Sequence, residues 1–235
     1  MEHILETKKL SYRYSDAAKD DYVFKNINMT FDEGKIYAIK GKSGSGKTTL
    51  LSLISGLETK YEGDILYLNQ NMRKMDLDKY RNTDIGIVFQ SYNLLPTYTA
   101  LENIILSMDI NGIKNINKKE KAIELMKQVG LKESQANRRV LKLSGGEQQR
   151  IAIARSLSYN PKIILADEPT GNLDKETEKE ILKIFKDLAH KGNKCVIIVT
   201  HSKNVCDEAD QTYELSAFNK GGDKWYKRLK LNKKI

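Results

Sequence analysis

The sequence predicts an α/β fold with a mostly parallel sheet, and three observations carry that prediction. Short apolar runs, Ile36 to Ile39, Ile85 to Phe89, Ile163 to Ala166 and Cys195 to Val199, alternate with longer segments of helical period. The last two runs are continuous and β-rich, as strands covered on both faces tend to be. A glycine-rich turn leaves the first run and opens a helix at Lys47.

In chain order, Leu5 to Tyr14 and Tyr22 to Phe31 read as short antiparallel strands joined by the polar loop Ser15 to Asp21, an N-terminal β-subdomain. The helix from Lys47 carries Leu50, Leu51, Ile54 and Leu57. From about residue 90 to 159 the pattern is almost wholly helical, with helices at Leu101 to Met108, Lys118 to Val129 and Gly146 to Leu157. This stretch reads as a helical subdomain inserted into the α/β core. Lys175 to His190 sets Ile181, Ile184, Phe185 and Leu188 on one face. The expected organisation is one domain, with a core of 1–89 and 160–217, the insertion 90–159 and a basic tail 218–235.

Composition narrows the class. The 235 residues are 40% hydrophobic and 30% charged, which fits a globular chain. No run approaches the roughly 20 apolar residues of a membrane span, and the first ten residues lack the apolar core of a secretory leader. Cys195 and Cys206 lack metal-ligand spacing and point to a reducing compartment, with Cys195 a core strand residue. The net charge of +9 is uneven. Lys114 to Lys142 holds nine basic and three acidic residues, and Phe218 to Ile235 seven and one, which leaves the remainder mildly acidic. Trp225 and Tyr226, set among lysines, read as part of an ordinary C-terminal helix or strand rather than as an interfacial anchor.

Gly41-Lys42-Ser43-Gly44-Ser45-Gly46-Lys47-Thr48 fits the pattern G-x-x-x-x-G-K-[ST] without a mismatch. Glycines let consecutive N–H groups turn toward phosphate oxygens, and the helix behind them presents its positive end to the same anion. Lys47 is then expected to reach the β- and γ-phosphates, Thr48 to ligate Mg²⁺, and Thr49 to follow in the same turn. The competing explanation, a chance glycine-rich turn, does not account for a strand before it and an apolar helix after it. The core is therefore expected to be a P-loop NTPase core.

The strand Ile163 to Ala166 ends in Asp167-Glu168. Carboxylates at the C-terminal end of a buried parallel strand lie where open α/β sheets bind ligands. Asp167 is expected to hold Mg²⁺, and Glu168 to act as general base on the attacking water. The alternative is a pair of acids capping the turn Pro169-Thr170-Gly171.

Leu143-Ser144-Gly145-Gly146-Glu147-Gln148-Gln149-Arg150 precedes a second apolar helix. Ser-Gly-Gly at a helix start is a second anion site, about a hundred residues after the first. One ATP uses both only if they meet, within one chain or across a dimer.

At these residues the sequence resembles the ATP-binding-cassette (ABC) ATPases. The octapeptide is similar to their signature motif, and further elements follow in family order along almost the whole chain. Gln90, after Ile85 to Phe89, resembles the Q-loop glutamine. Asn172-Leu173-Asp174 resembles the D-loop, and His201 resembles the switch histidine. Tyr14 resembles the aromatic residue that stacks on adenine, with Tyr12 a weaker candidate and a surface strand tyrosine the alternative.

The resemblance implies a homodimer in the ATP-bound state, with ATP between Gly41 to Thr49 of one subunit and Ser144, Gly145, Gly146, Glu147 and Asp174 of the other. It implies catalytic roles for Lys47, Gln90, Glu168 and His201, with Mg²⁺ at Thr48, Gln90 and Asp167. Val88 to Pro96 and Ala166 to Asp174 look most like the branch of macrolide exporters, lipoprotein-releasing transporters and bacitracin-resistance transporters. That branch implies a peripheral subunit on the cytoplasmic face of the membrane, driving an FtsX-like permease. Many of its members carry proline where this chain has Val140, so the loop there is open. The polar insertion Asp16 to Asp21 is also less typical.

Two rival classes explain less. A soluble ATPase acting on nucleic acid or ribosomes usually carries a coiled-coil or zinc-bearing insertion, or two cassettes, and neither is in the sequence. A small-molecule kinase leaves Leu143 to Arg150 and His201 unexplained.

Overall fold

Alternating burial builds the first sheet. In β2 (Phe24–Phe31), Phe24, Ile27, Met29 and Phe31 turn inward. It pairs antiparallel with β1 (Leu5–Tyr12), which pairs with β4 (Glu62–Tyr67), and that with the short β5 (Gln70–Asn71). The structure is a computed structural model describing residues 3–18 and 21–216, with the backbone of 226–231. Of the polar insertion, residues 19 and 20 lie outside the described residues.

The second sheet has six strands in the order β10-β9-β3-β8-β7-β6. The run from β9 (Gln211–Leu215) through β3 (Ile36–Lys40), β8 (Cys195–Thr200) and β7 (Ile163–Asp167) to β6 (Ile85–Phe89) is parallel throughout. Every residue of β8 is buried, because the strand feeds two cores at once. Val196 and Ile198 pack with the helical insertion, and Cys195, Ile197 and Val199 pack toward the antiparallel sheet. Each such aliphatic side chain stabilises the fold by roughly 1.5–3 kcal/mol relative to exposure.

Helices cover this sheet. α1 (Lys47–Ile54) and α2 (Leu77–Thr83) belong with the second core, and α6 (Lys175–His190) packs on β3 and β8. The helices of the insertion are α3 (Ala100–Ile110), α4 (Lys118–Gln128) and α5 (Gly145–Ser156). α7 (Lys203–Glu208) follows β8, with Ser202 as its N-cap.

One expectation needs correction. The stretch 90–159 is less helical than its pattern suggests, because residues 91–99 form an irregular crossing in which Tyr92 and Asn93 take φ of 60° and 49°. Within the basic tail, the ordinary C-terminal element is a strand, β10 (Tyr226–Leu231), which pairs antiparallel with β9 from Tyr226↔Leu215 to Leu231↔Gln211. Trp225 lies outside the described residues, and Tyr226 is described in its backbone alone.

The open question at Val140 has a physical answer. Val140 is buried, begins a 3₁₀ turn to Lys142, and donates its N–H to Tyr98 O at 3.2 Å. Proline has no N–H to make that bond. A backbone hydrogen bond therefore fixes the loop.

Candidate active site

β3 delivers the glycine-rich loop to the C-terminal edge of the sheet, and α1 carries it away. Gly46 is the pivot. It caps α1 with φ 86°, and a Cβ there would lie 2.5 Å from Val23 Cγ1. Any other residue would strain the turn and push the antiparallel sheet off the loop. No side chain caps α1 and no acidic residue stands in its first turn, so its N–H groups remain available to an anion.

A cavity of about 890 Å³ opens above this loop. Of the residues the sequence singles out, it is lined by Tyr14, Gly41, Lys42, Ser43, Gly44, Gly46, Lys47, Thr48, Thr49, Gln90, Asp167, Glu168 and His201. Ala17, Asp21, Tyr22 and Val23 add a wall that the sequence did not announce. Ser45 is fully buried under the loop, with its N–H on Lys42 O at 3.1 Å. It does not line the cavity.

Lys47 donates to Gly41 O at 2.9 Å and Lys42 O at 3.2 Å, so its ammonium lies folded over the loop. Thr48 Oγ1 donates to Asp167 Oδ2 at 2.9 Å, bringing a hydroxyl from α1 to a carboxylate from β7. Burial pushes the Asp167 carboxyl above its usual range, and neighbouring Glu168 adds to the rise, while the Thr48 bond and Lys47 oppose it. A carboxylate short of positive charge beside a hydroxyl is an oxygen donor pair that fits Mg²⁺. Among the described residues no group of three or more His, Cys, Asp or Glu could hold a metal ion.

Glu168 adopts φ 46°, a costly conformation for a non-glycine residue. Its N–H bonds Val199 O at 2.9 Å, and its carboxylate takes the His201 N–H at 3.3 Å and faces His201 Nδ1 at 2.8 Å. Asp167 and Glu168 both line the cavity, the first held by Thr48 and the second by His201. Gln90 Nε2 reaches Asn172 Oδ1 at 3.3 Å. Tyr14 is 52% exposed, meets Tyr12 edge-on at 5.3 Å between centroids, and touches Thr49 Oγ1 at 3.3 Å. Tyr12 is buried, and its ring does not line the cavity.

The second anion motif is assembled elsewhere. Ser144 caps α5 in a closed box, its N–H on Glu147 Oε2 at 2.7 Å and Glu147 N–H on its Oγ at 3.3 Å. Gln135 also donates to Glu147. Gly146 has no room for a side chain, because a Cβ would lie 2.5 Å from Thr177 Cγ2 on α6. Asp174 caps α6, accepting from Glu176 and Thr177 N–H at 3.0 Å each, and the Thr177 bonds hold its carboxyl below the usual range. Neither Ser144 to Glu147 nor Asp174 lines the cavity.

Sequence reasoning missed a small network behind the site. Ser202 Oγ donates to Glu178 Oε1 at 2.6 Å, and Thr170 Oγ1 approaches the same oxygen at 3.5 Å. The signal for Ser202 is its place as N-cap of α7, and Glu178 carries no local signal.

The family model described as ABC transporter matches residues 24–171. The ABC transporter ATP-binding protein YclH of Bacillus subtilis (strain 168) is 46% identical over 213 residues, 91% of this chain and 93% of that one. A dimeric structure of the ABC transporter cassette MJ0796 superposes with TM-score 0.82 at 36% identity, covering 96% of this chain and 99% of the other. A second structure of MJ0796 is of a dimeric post-hydrolysis state bound to ADP and Pi, also at TM-score 0.82. CbiO1 of Clostridium perfringens, part of the transporter complex cbiONQ, superposes at TM-score 0.81 and 28% identity, covering 93% and 88% of the two chains.

Proposed function

The chain belongs to the ABC transporter family as an ATP-binding and ATP-hydrolysing protein, and on that premise we propose that it closes as a homodimer around two ATP molecules to drive an FtsX-like membrane permease. One observation carries the reading. The cavity gathers the P-loop, Gln90, Asp167, Glu168 and His201, while Ser144 to Glu147 and Asp174 stand outside it. A second copy, turned head to tail, supplies what each cavity lacks, and the dimer of MJ0796 is the supporting precedent.

In this reading the loop N–H groups and Lys47 bind the phosphates, and Tyr14 stacks on adenine. Lys47 leaves the carbonyls of Gly41 and Lys42 to reach its ligand. Thr48, Asp167 and Gln90 hold Mg²⁺, which when bound neutralises charge on the phosphate oxygens. Glu168 accepts the proton of the attacking water at its carboxylate. His201 orients that water and donates to the γ-phosphate, steadied by its contact with Glu168.

The permease assignment rests on the likeness of Val88 to Pro96 and Ala166 to Asp174 to the macrolide, lipoprotein-releasing and bacitracin-resistance branch. The transported molecule is then an antimicrobial peptide, a lipoprotein or a drug. The domain division follows, with 1–89 and 160–217 as the ATP-binding core and 90–159 as the signature-bearing insertion. No helix among the described residues is long and apolar enough to cross a membrane, so the transport path belongs to the partner. The basic stretch Lys114 to Lys142 suits a peripheral subunit beside an anionic cytoplasmic leaflet.

The test is affinity recovery of the tagged chain from detergent-solubilised native membranes. Co-purification of an FtsX-like permease supports the assignment. Recovery with ribosomal proteins or DNA in its place overturns it.

A further inference from the structure

The contacts of Glu178 point to a role that the nucleotide-site motifs do not include. We propose that Glu178 is a positioning residue for hydrolysis, holding His201 in register through Ser202. The proposal rests on the reading of His201 as the residue that orients the attacking water.

The His201 side chain is 71% exposed, and its ring is held at Nδ1 by the Glu168 carboxylate at 2.8 Å. Where the ring stands depends also on the backbone on either side. Upstream, Thr200 is buried at the end of β8 and accepts the Ser202 N–H at 2.9 Å through Oγ1. Downstream, Ser202 has one strong tether, the 2.6 Å bond from its hydroxyl to Glu178 Oε1. The lone pair it keeps accepts the Val205 N–H at 3.4 Å, which starts α7. Without Glu178, the hydroxyl loses the acceptor that the structure gives it, and the loop carrying His201 loses its downstream side-chain tether.

The same carboxylate oxygen lies 3.5 Å from Thr170 Oγ1, in the turn that follows Glu168. Thr170 is buried, and Gly171 N–H closes that turn on Glu168 O at 3.1 Å. Glu178 Oε1 therefore touches both turns that present the hydrolytic pair. Its own position is set by α6, in whose first turn the carboxylate is favoured by the helix dipole. One residue earlier, Thr177 packs its methyl against Gly146 and bonds Asp174 at 2.7 Å. A shift at the signature helix or at Asp174 is thereby passed, one residue later, to the loop of His201.

The test is steady-state ATP hydrolysis by the full chain with the substitutions Glu178→Ala, Ser202→Ala, both together, Glu178→Gln, and His201→Ala as reference. Glu178→Ala and Ser202→Ala are each expected to lower kcat about tenfold while leaving KM for ATP unchanged, since misplacement affects the reacting geometry rather than binding. The double variant is expected to fall no further than the lower single one, because both remove one bond. Glu178→Gln is expected to recover most of the turnover, its amide oxygen still accepting from Ser202. Unchanged kcat in Glu178→Ala, additive losses, or a glutamine variant as impaired as alanine overturns the proposal. His201→Ala with full turnover overturns the reading beneath it. His201→Ala losing turnover while Glu178→Ala retains it overturns the proposal alone.

Discussion

Two helix N-termini in this chain carry the marks of phosphate binding, and they are built in opposite ways. α1 starts at Gly46 with no side-chain cap, no acid in its first turn, and a cavity above it. α5 starts at Ser144 in a closed capping box, with Glu147 spanning the N–H it would otherwise offer. The first leaves its donors unsatisfied until an anion arrives; the second closes two of its own, the Ser144 and Glu147 N–H groups. On the proposed reading, the end that binds ligand inside one chain forgoes its cap, and the end that serves a second chain keeps one.

Three substitutions break or sharpen that contrast, in order of expected size. Lys47→Ala removes the cation that opens α1 and should lower both ATP affinity and turnover, the latter on the order of a hundredfold or more. Normal nucleotide binding by equilibrium dialysis would mean that the α1 end is not the phosphate site. Tyr14→Ala leaves the phosphate end intact and removes the exposed ring above it. It should weaken adenine nucleotide binding by about 1–3 kcal/mol, by analogy with base–aromatic stacking, while tripolyphosphate binds as before. Equal weakening for both ligands would assign Tyr14 a structural role.

Glu147→Gln keeps the box closed, because an amide oxygen still accepts the Ser144 N–H, but it removes a negative charge from the α5 end. ATP-dependent dimerisation should tighten by about 0.3–1 kcal/mol, the size of a surface charge at a helix terminus. Weaker dimerisation, read by light scattering against ATP concentration, would show that the carboxylate is needed there.

The difference between the two ends also explains what the sequence disclosed. The P-loop was legible because everything it needs is contiguous: a strand, eight residues and a helix. β7 and β8 were legible because burial on both faces writes a continuous apolar run. β4 and β9 were missed because Glu62 to Tyr67 and Gln211 to Leu215 are short and mixed, and take their strand character from pairing with β1 and β3. β10 was open between helix and strand, since an edge strand among lysines needs no apolar run. The site divides in the same way. Asp167 and Glu168 stood at a strand end and could be read there, while His201 entered through the family resemblance. That Lys47 rests on Gly41 and Lys42, that Ser45 turns under the loop, and that Glu178 meets Ser202 across 24 residues are tertiary facts with no local pattern.

The central claim is that the α5 end serves the nucleotide of a partner chain and not its own. Glu168→Gln alone should bind ATP, hydrolyse it very slowly and sediment as a dimer with ATP. The decisive measurement adds Ser144→Arg to that background and follows ATP affinity at high dilution beside sedimentation in saturating ATP. The account predicts unchanged affinity of the single chain for ATP and loss of the dimer. A double variant that loses ATP as a monomer, or that still dimerises, contradicts it.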